Sequence, residues 1–190
     1  MSHDLAAGPP EAQVQRGQGK FENVLSPVLL AHGCRAPYGV EVESRFTPRP
    51  SFAGGSDPRK HLHVALELPA DIASHLAAFD VQVRELSQAP GEWAPLVSER
   101  DGRYFAKVRL AVEGRPGSMR VGGELQPTTW QNLSLVLDCH NNLRGAEMDA
   151  ALRPAYIWSV HGRRGLSVYL EMFAARPAAA VTRAPVDYFQ

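Results

Sequence analysis

The sequence predicts a mostly β protein, a small antiparallel barrel or sandwich with one inserted helix. Three observations lead to this fold class. Apolar and polar residues alternate in several short segments, as in strands with one face in a core. Residues 71–88 show helical spacing instead. Segments rich in glycine and proline separate these elements, and 190 residues is the size of a single domain.

The alternation defines the predicted strands and their core-facing sides. The residues on the apolar faces are Val40, Val42, Ser44 and Phe46; Leu62, Val64, Leu66 and Leu68; and Tyr104, Ala106, Val108, Leu110 and Val112. Residues 47–60 contain three prolines and a Gly-Gly pair and are predicted to form a long loop. We expect LSLVLD, residues 133–138, to form a short strand.

Residues 153–160 and 165–174 are predicted to be the last two strands, joined as a hairpin through HGRRG. On the second of these strands, we expect Leu166, Val168, Leu170 and Met172 to face the core.

The predicted helix carries one apolar stripe. Its members are Ile72, Leu76, Phe79, Val83 and Leu86, at spacings of four, three, four and three. Asp71 lies near the start, where the helix dipole favours an anion, and Pro90-Gly91 ends the helix. The stripe should lie on the sheet or plug one end of a barrel.

Composition divides the chain into three regions. Residues 1–20 are rich in Gly, Pro, Gln and Ala and predict a flexible N-terminal arm; residues 21–175 form the domain, and residues 176–190 a C-terminal tail. We find no apolar run of membrane-spanning length and no signal-peptide segment. Two cysteines do not make a disulfide framework. We therefore expect an intracellular protein that is not secreted and has no membrane partner.

Patterns typical of enzymes and cofactor sites are absent. His32, Cys34, His61 and His63 could bind zinc, but neither CxxC nor HExxH occurs, and exposed strand histidines with a buried free thiol are the alternative. Cys139 and His140 are adjacent, so their side chains diverge in an extended segment. No nucleotide-binding glycine motif is present. The sequence thus indicates a non-enzymatic protein without a cofactor; a small metal-binding or catalytic domain stays open as an alternative.

Basic residues cluster with aromatic residues in three segments, although 20 basic and 20 acidic side chains balance over the chain. Residues 45–60 hold four basic and one acidic side chain, residues 100–120 six and two, and residues 153–176 four and one. The candidate binding residues are Arg45, Arg59, Lys60, Phe105, Lys107, Arg109, Tyr156, Trp158, Arg163, Arg164 and Tyr169.

Basic tracks combined with aromatic side chains are typical of grooves that hold single-stranded nucleic acid, because cations neutralise phosphates and rings stack on bases. Each cluster could equally be the solvated face of a strand in a structural β protein, such as a virion or assembly component. Side chains alternate along a strand, so Tyr156 and Trp158 face the core together or the solvent together.

From about Tyr38 to Ala175, the chain resembles the single-stranded DNA-binding proteins of short-tailed phages and their relatives in large DNA viruses. The resemblance is carried by the order of elements and above all by the closing hairpin, with Tyr156-Ile157-Trp158, a glycine-containing turn, and Gly165-Leu166-Ser167-Val168-Tyr169-Leu170.

The resemblance implies an OB-type barrel with an inserted helix and a non-catalytic protein that coats exposed strands in viral DNA replication or recombination. Its partner would be single-stranded DNA, with RNA left open, and a homodimer is left open as well. Such phage proteins usually end in a long acidic tail that contacts replication proteins. This chain ends in VDYFQ, with Asp187 the only acid after Glu171. A replication partner would have to recognise a shortened hook at Tyr188 and Phe189.

Overall fold

The computed structural model describes residues 1–16, 22–43, 61–88, 90–110 and 116–178, which form thirteen strands and two α-helices. The strands are β1 (Ser2–Asp4), β2 (Gln13–Arg16), β3 (Glu22–Leu25), β4 (Val28–Ala36), β5 (Val40–Glu43), β6 (His61–Leu68), β7 (Glu92–Trp93), β8 (Val97–Arg100), β9 (Arg103–Leu110), β10 (Ser118–Val121), β11 (Leu125–Pro127), β12 (Ala146–Val160) and β13 (Arg163–Arg176). The helices are α1 (Ala70–Leu86) and α2 (Trp130–Cys139).

Five of these strands close into a barrel. The ring runs β4–β6–β9–β13–β12 and returns to β4, and only the β9–β13 pair is parallel. In chain order this is 1-2-3-5-4, a five-stranded Greek-key barrel of the OB type. The predicted mostly β, OB-like fold is confirmed, with two helices where the sequence predicted one.

The barrel core follows the predicted alternation. Leu62, Val64, Leu66 and Leu68 of β6 are buried, as are Ala106, Val108 and Leu110 of β9. From α1 the stripe residues Ile72, Leu76, Phe79 and Val83 are buried, whereas the fifth predicted member, Leu86, is exposed at the last helical position. The predicted helix and its packing are therefore correct except at its C-terminal end.

The predicted strand at 133–138 is wrong, because these residues lie in α2. The Thr129 hydroxyl caps this helix by accepting from the Asn132 N–H at 3.4 Å. Leu133 and Leu137 are buried one turn apart, while Leu135 is 60% exposed. Leu133, Leu135 and Leu137 lie two residues apart, as in a strand, while Leu133 and Leu137 alone lie four apart, as in a helix. In so short a segment the apolar pattern cannot distinguish a strand from a helix.

The closing hairpin exists, but its core-facing set changes at a β-bulge. Ala151 pairs with Met172 and Leu152 with Leu170, so the register skips Glu171. Leu166, Val168 and Leu170 face the core as predicted, whereas Met172 is exposed and Phe173 is buried in its place. The extra residue reverses which side chains point inward.

Residues 1–16, which the sequence predicted to be part of a flexible arm, lie against the barrel. β1 pairs in parallel with β4, and Leu5 is fully buried beside α1, where its carbonyl oxygen lies 2.7 Å from Nδ1 of His75. Residues 17–20 and the tail from 179 onward lie outside the described residues. Neither of the described α-helices combines the length and apolar character needed to cross a membrane.

Candidate nucleic-acid interface

Two of the three basic and aromatic segments meet on the outer surface of β9, β13 and β12. Tyr169 of β13 is in register with Arg109 of β9. The Arg109 guanidinium Nη1 donates a 2.6 Å hydrogen bond to the hydroxyl of Tyr156 on β12. The rings of Tyr156 and Tyr169 lie 6.5 Å apart between centroids, tilted by 54°. A cation from one segment is thus joined directly to two aromatics from the other.

Tyr156 and Trp158 both lie on the outer face of the barrel. The residue between them, Ile157, is buried in the core. A register shift between Pro154 and Tyr156 places a bulge just before this stretch. The sequence left open whether these two side chains face the core or the solvent, and the structure places both on the surface.

Trp158 packs across the hairpin on a glycine. It pairs with Gly165, and a Cβ added to that glycine would lie 2.8 Å from Cζ2 of the indole. The same Cβ would lie 3.0 Å from the carbonyl oxygen of Ala94. Only glycine leaves room for this indole, so Gly165 fixes where the Trp158 ring lies.

Charges surround the tyrosine pair. The Arg153 guanidinium lies 5.2 Å from the centroid of the Tyr169 ring and forms a 3.5 Å ion pair with Glu171. Burial alone would raise the pKa of Tyr156, but hydrogen bonding to Ser167 and the positive charge of Arg109 lower it. Arg109 thus holds the Tyr156 hydroxyl, and the arginines place two positive charges beside the aromatic rings.

On the exposed side of β9, Lys107 is open to solvent and stands beside the small side chain of Ala65 on β6. Phe105 on the same side is only 9% exposed. The Arg103 guanidinium covers its ring at 5.4 Å, and the ring of Tyr38 lies 6.4 Å away. Phe105 therefore does not present the open ring face that its strand position suggested.

Glu67 holds Arg103 in place over the Phe105 ring. Glu67 accepts two hydrogen bonds from Arg103, the one from Nε being 2.8 Å long, and this pairing lowers the pKa of Glu67. Tyr38, 49% exposed, is the aromatic that this side presents to solvent. Sequence reasoning did not select Tyr38, because it precedes the alternating segment and lies in the turn between β4 and β5.

The turn that joins β12 and β13 contains only two residues, His161 and Gly162. Both have positive φ, 49° and 77°, as in a type I′ turn. Of the two arginines that follow, Arg163 is exposed. Arg164 is half-buried, and its guanidinium hydrogen-bonds within the protein, to Ser87 Oγ at 2.7 Å and to the Gly91 carbonyl oxygen at 3.3 Å. The two consecutive arginines therefore have different surroundings.

The histidines and cysteines do not assemble a metal site in the part of the chain that the structure describes, where no group of three or more potential ligands converges. His63 is 8% exposed beside Arg109, so the expectation of a solvent-exposed strand histidine is wrong at this position. Cys34 is the buried free thiol that the sequence predicted, and burial raises its pKa to about 12. This thiol stays protonated near neutral pH.

Arg45, Arg59 and Lys60 lie outside the described residues, and their assignment stays a prediction. They belong to the connection between the first and second barrel strands, β4 and β6.

Comparison with solved structures finds chains of similar fold. The solved "Single-stranded DNA-binding protein from bacteriophage Enc34, C-terminal truncation" matches over 89% of this chain and 96% of its own, with 12% identical residues and a TM-score of 0.46. No family model and no curated protein matches the sequence. The fold assignment rests on the closed strand order rather than on this similarity.

Proposed function

We propose that the protein binds single-stranded nucleic acid without catalysis, with single-stranded DNA as its main ligand. The observation that carries the proposal is the contact between Arg109 and Tyr156, which are 47 residues apart in sequence and 2.6 Å apart in the fold. This contact joins the cluster at residues 100–120 to the cluster at residues 153–176, which includes Tyr169, in one outer surface. That surface combines cations with aromatic rings.

One strand of this surface, β9, lies on the face by which OB barrels bind oligonucleotides, and this supports the proposal. OB barrels bind oligonucleotides on the face of their second and third strands, flanked by the loop between strands one and two and the loop between strands four and five. Here those strands are β6 and β9, and the loop between strands four and five is the turn at 161–162. Residues 44–60, which lie between strands one and two in sequence, are outside the described residues. Lys107 and Arg109 lie on β9, and Arg163 follows the turn.

The binding mechanism follows from the side chains. Exposed cations neutralise phosphates and release counterions, so affinity falls as salt rises. The rings of Tyr156, Tyr169 and Trp158 are half-buried, more exposed than Phe105, and supply stacking faces that accept any base. Phosphate contacts and ring stacking do not read base edges, and we therefore propose binding that tolerates all sequences.

The biological setting that we propose is the coating of strands exposed in viral DNA replication or recombination. It follows the resemblance of the Tyr156-Ile157-Trp158 strand and the Gly165–Leu170 strand to the closing hairpin of phage proteins of this kind. Replication proteins that bind the C-terminal residues are part of the same proposal.

Fluorescence anisotropy with labelled oligo-dT tests the proposal. If Lys107, Arg109, Arg153 and Arg163 each neutralise one phosphate, the slope of log K against log salt is about −2.8, and Kd rises about fifty-fold between about 50 and about 200 mM salt. Absence of binding at the lower salt, with a defined oligomer, would favour a structural β protein instead. Tighter binding of duplex of the same length would redirect the proposal to double-stranded DNA.

A further inference from the structure

The two arginines after the turn point to opposite sides of β13. Side chains alternate along a strand, so Arg163 shares a side with Tyr169, on the outer surface. Arg164 shares a side with Leu166, which is buried in the core. Because of this alternation, one bound strand on the outer surface can meet Arg163 directly, whereas Arg164 extends toward the end of the barrel beneath α1.

The guanidinium of Arg164 hydrogen-bonds to, and stacks on, residues of the segment that follows α1. Nη1 donates to Ser87 Oγ at 2.7 Å, Nε donates to the Gly91 carbonyl oxygen at 3.3 Å, and the guanidinium lies 5.4 Å from the centroid of the Trp93 ring. Ser87 in turn donates to the buried carboxylate of Glu22 at 2.5 Å. This set of contacts, which we term the brace, links β13 through Ser87 to β3.

Backbone bonds tie the turn to the same segment. The Glu92 N–H donates to the Gly162 carbonyl oxygen at 2.9 Å, and the Ala94 N–H donates to the Arg164 carbonyl oxygen at 2.7 Å. Between them, the Trp93 indole N–H donates to Asp80 of α1 at 3.1 Å. The turn is therefore held against α1 by side chains and backbone together.

We propose that Arg164 is a positioning residue, which fixes the 161–162 turn so that Arg163 reaches a phosphate of the bound strand. Arg164 itself then makes no phosphate contact. This inference rests on the proposed function, since it assigns roles within the same binding surface. It also makes Trp93 and Ser87 indirect determinants of affinity, although neither belongs to a basic or aromatic cluster in the sequence.

Exchanging each arginine for lysine separates the two roles. A phosphate contact needs a point charge, so R163K should bind oligo-dT within about two-fold of wild type, whereas a forked and stacked guanidinium has no lysine substitute. R164K keeps the charge but should weaken binding about as much as R163A, which loses one phosphate and about 0.7 of the salt slope. In the R163A background, R164K should have no further effect. The proposal would be overturned if R164K bound oligo-dT like the wild type. It would also be overturned if the double variant R163A/R164A lost about 1.4 of the salt slope, the sum of two phosphate contacts.

Hydrogen exchange of the free protein tests the brace without ligand. R164K should speed exchange of the Glu92 and Ala94 amides, while R163A should leave both unchanged. Unaltered exchange in R164K would show that the brace does not hold the turn. If the wild-type chain fails to bind oligo-dT, the proposed function and the role of Arg163 both fall, and the exchange result alone then decides whether the brace exists. The lysine variant also limits the risk of misfolding, because it keeps the charge and most of the side-chain length.

Discussion

Replacing Arg109 by alanine tests the composite surface at the point where its two halves meet. The guanidinium lies between the tyrosine cluster and the exposed side of β9, with its Nη1 bonded to Tyr156 and Tyr169 in register beside it. Removing it takes away one cation and the hydrogen bond that holds the Tyr156 hydroxyl. We therefore expect both weaker binding and a weaker dependence on salt.

Counterion release sets the size of the effect. One lost phosphate contact lowers the salt slope for a single strand by about 0.7, which corresponds to about eight-fold weaker binding at about 50 mM salt and about three-fold at about 200 mM. The variant and the wild type should thus converge as salt rises. Tyr156→Phe, which keeps the ring and the charge of Arg109 and loses only the hydrogen bonds of the Tyr156 hydroxyl, should leave the slope unchanged.

A matched control is available at the end of β13, the strand that carries Tyr169. Arg176→Ala removes the same charge from an exposed side chain paired with Glu147, seven residues beyond Tyr169. At the rise of a strand this is about 23 Å from the tyrosine cluster. Anisotropy titrations of R109A, Y156F and R176A at several salt concentrations complete the experiment. If R109A and R176A lower affinity and slope equally, net charge explains binding and the outer surface at Arg109 is not the site.

Three further predictions concern the fold. Thr129→Ala removes the cap of α2 and should lower the free energy of unfolding by about 1 kcal/mol in urea; no change would mean that the cap is not needed. Burial raises the pKa of Asp80, so the folded chain holds this proton more tightly than the unfolded chain, and stability relative to Asp80→Asn should fall as pH rises from 3.8 through the raised pKa. Equal pH profiles of unfolding for the two proteins would contradict this sign. A thiol reagent at pH about 8 should label the exposed Cys139 in the folded protein and Cys34 only after denaturation. The reason is that the folded chain buries the Cys34 thiol and raises its pKa to about 12. Labelling of both thiols in the folded state would show that Cys34 is accessible.

The sequence predicted the elements whose burial repeats regularly. β6 and β9 each have one side in the core of a closed barrel, so period two extends over their whole length and shows in Leu62–Leu68 and in Ala106, Val108 and Leu110. The helical spacing of the apolar residues of α1 extends over enough residues to rule out a strand as the alternative. α2 has ten residues, of which the apolar part is too short to distinguish the two periods.

Other features depended on contacts between distant segments. The first sixteen residues are poor in large apolar side chains, but backbone pairing of β1 with β4 and the burial of Leu5 hold them to the barrel. The bulge at Glu171 is set by the partner strand β12, and so the exposure of Met172 could not be read from β13 alone. Composition and periodicity carry no information about such pairings.

The candidate site also combines features that the sequence predicts with features that only the fold creates. The outer sides of β9 and β12 were available to sequence reasoning, since side chains opposite a core-facing set must face outward. The contact of Arg109 with Tyr156 was not, because it exists only when β13 lies between β9 and β12. Phe105 also has the predicted position on its strand, yet Arg103, paired with Glu67, covers its ring.

The consecutive arginines of HGRRG show why charge clusters in sequence overstate a binding surface. On a strand, two neighbouring side chains face opposite sides, so at most one of them can meet a ligand on a given side. The other must be solvated elsewhere or satisfied within the protein, and here Ser87, Gly91 and Trp93 satisfy Arg164. This assignment of Arg164 reduces by one the number of phosphate contacts that the salt slope should reveal. A slope near −2.8 would therefore fit Lys107, Arg109, Arg153 and Arg163, while a much steeper slope would require contributions from further cations, such as those within residues 44–60.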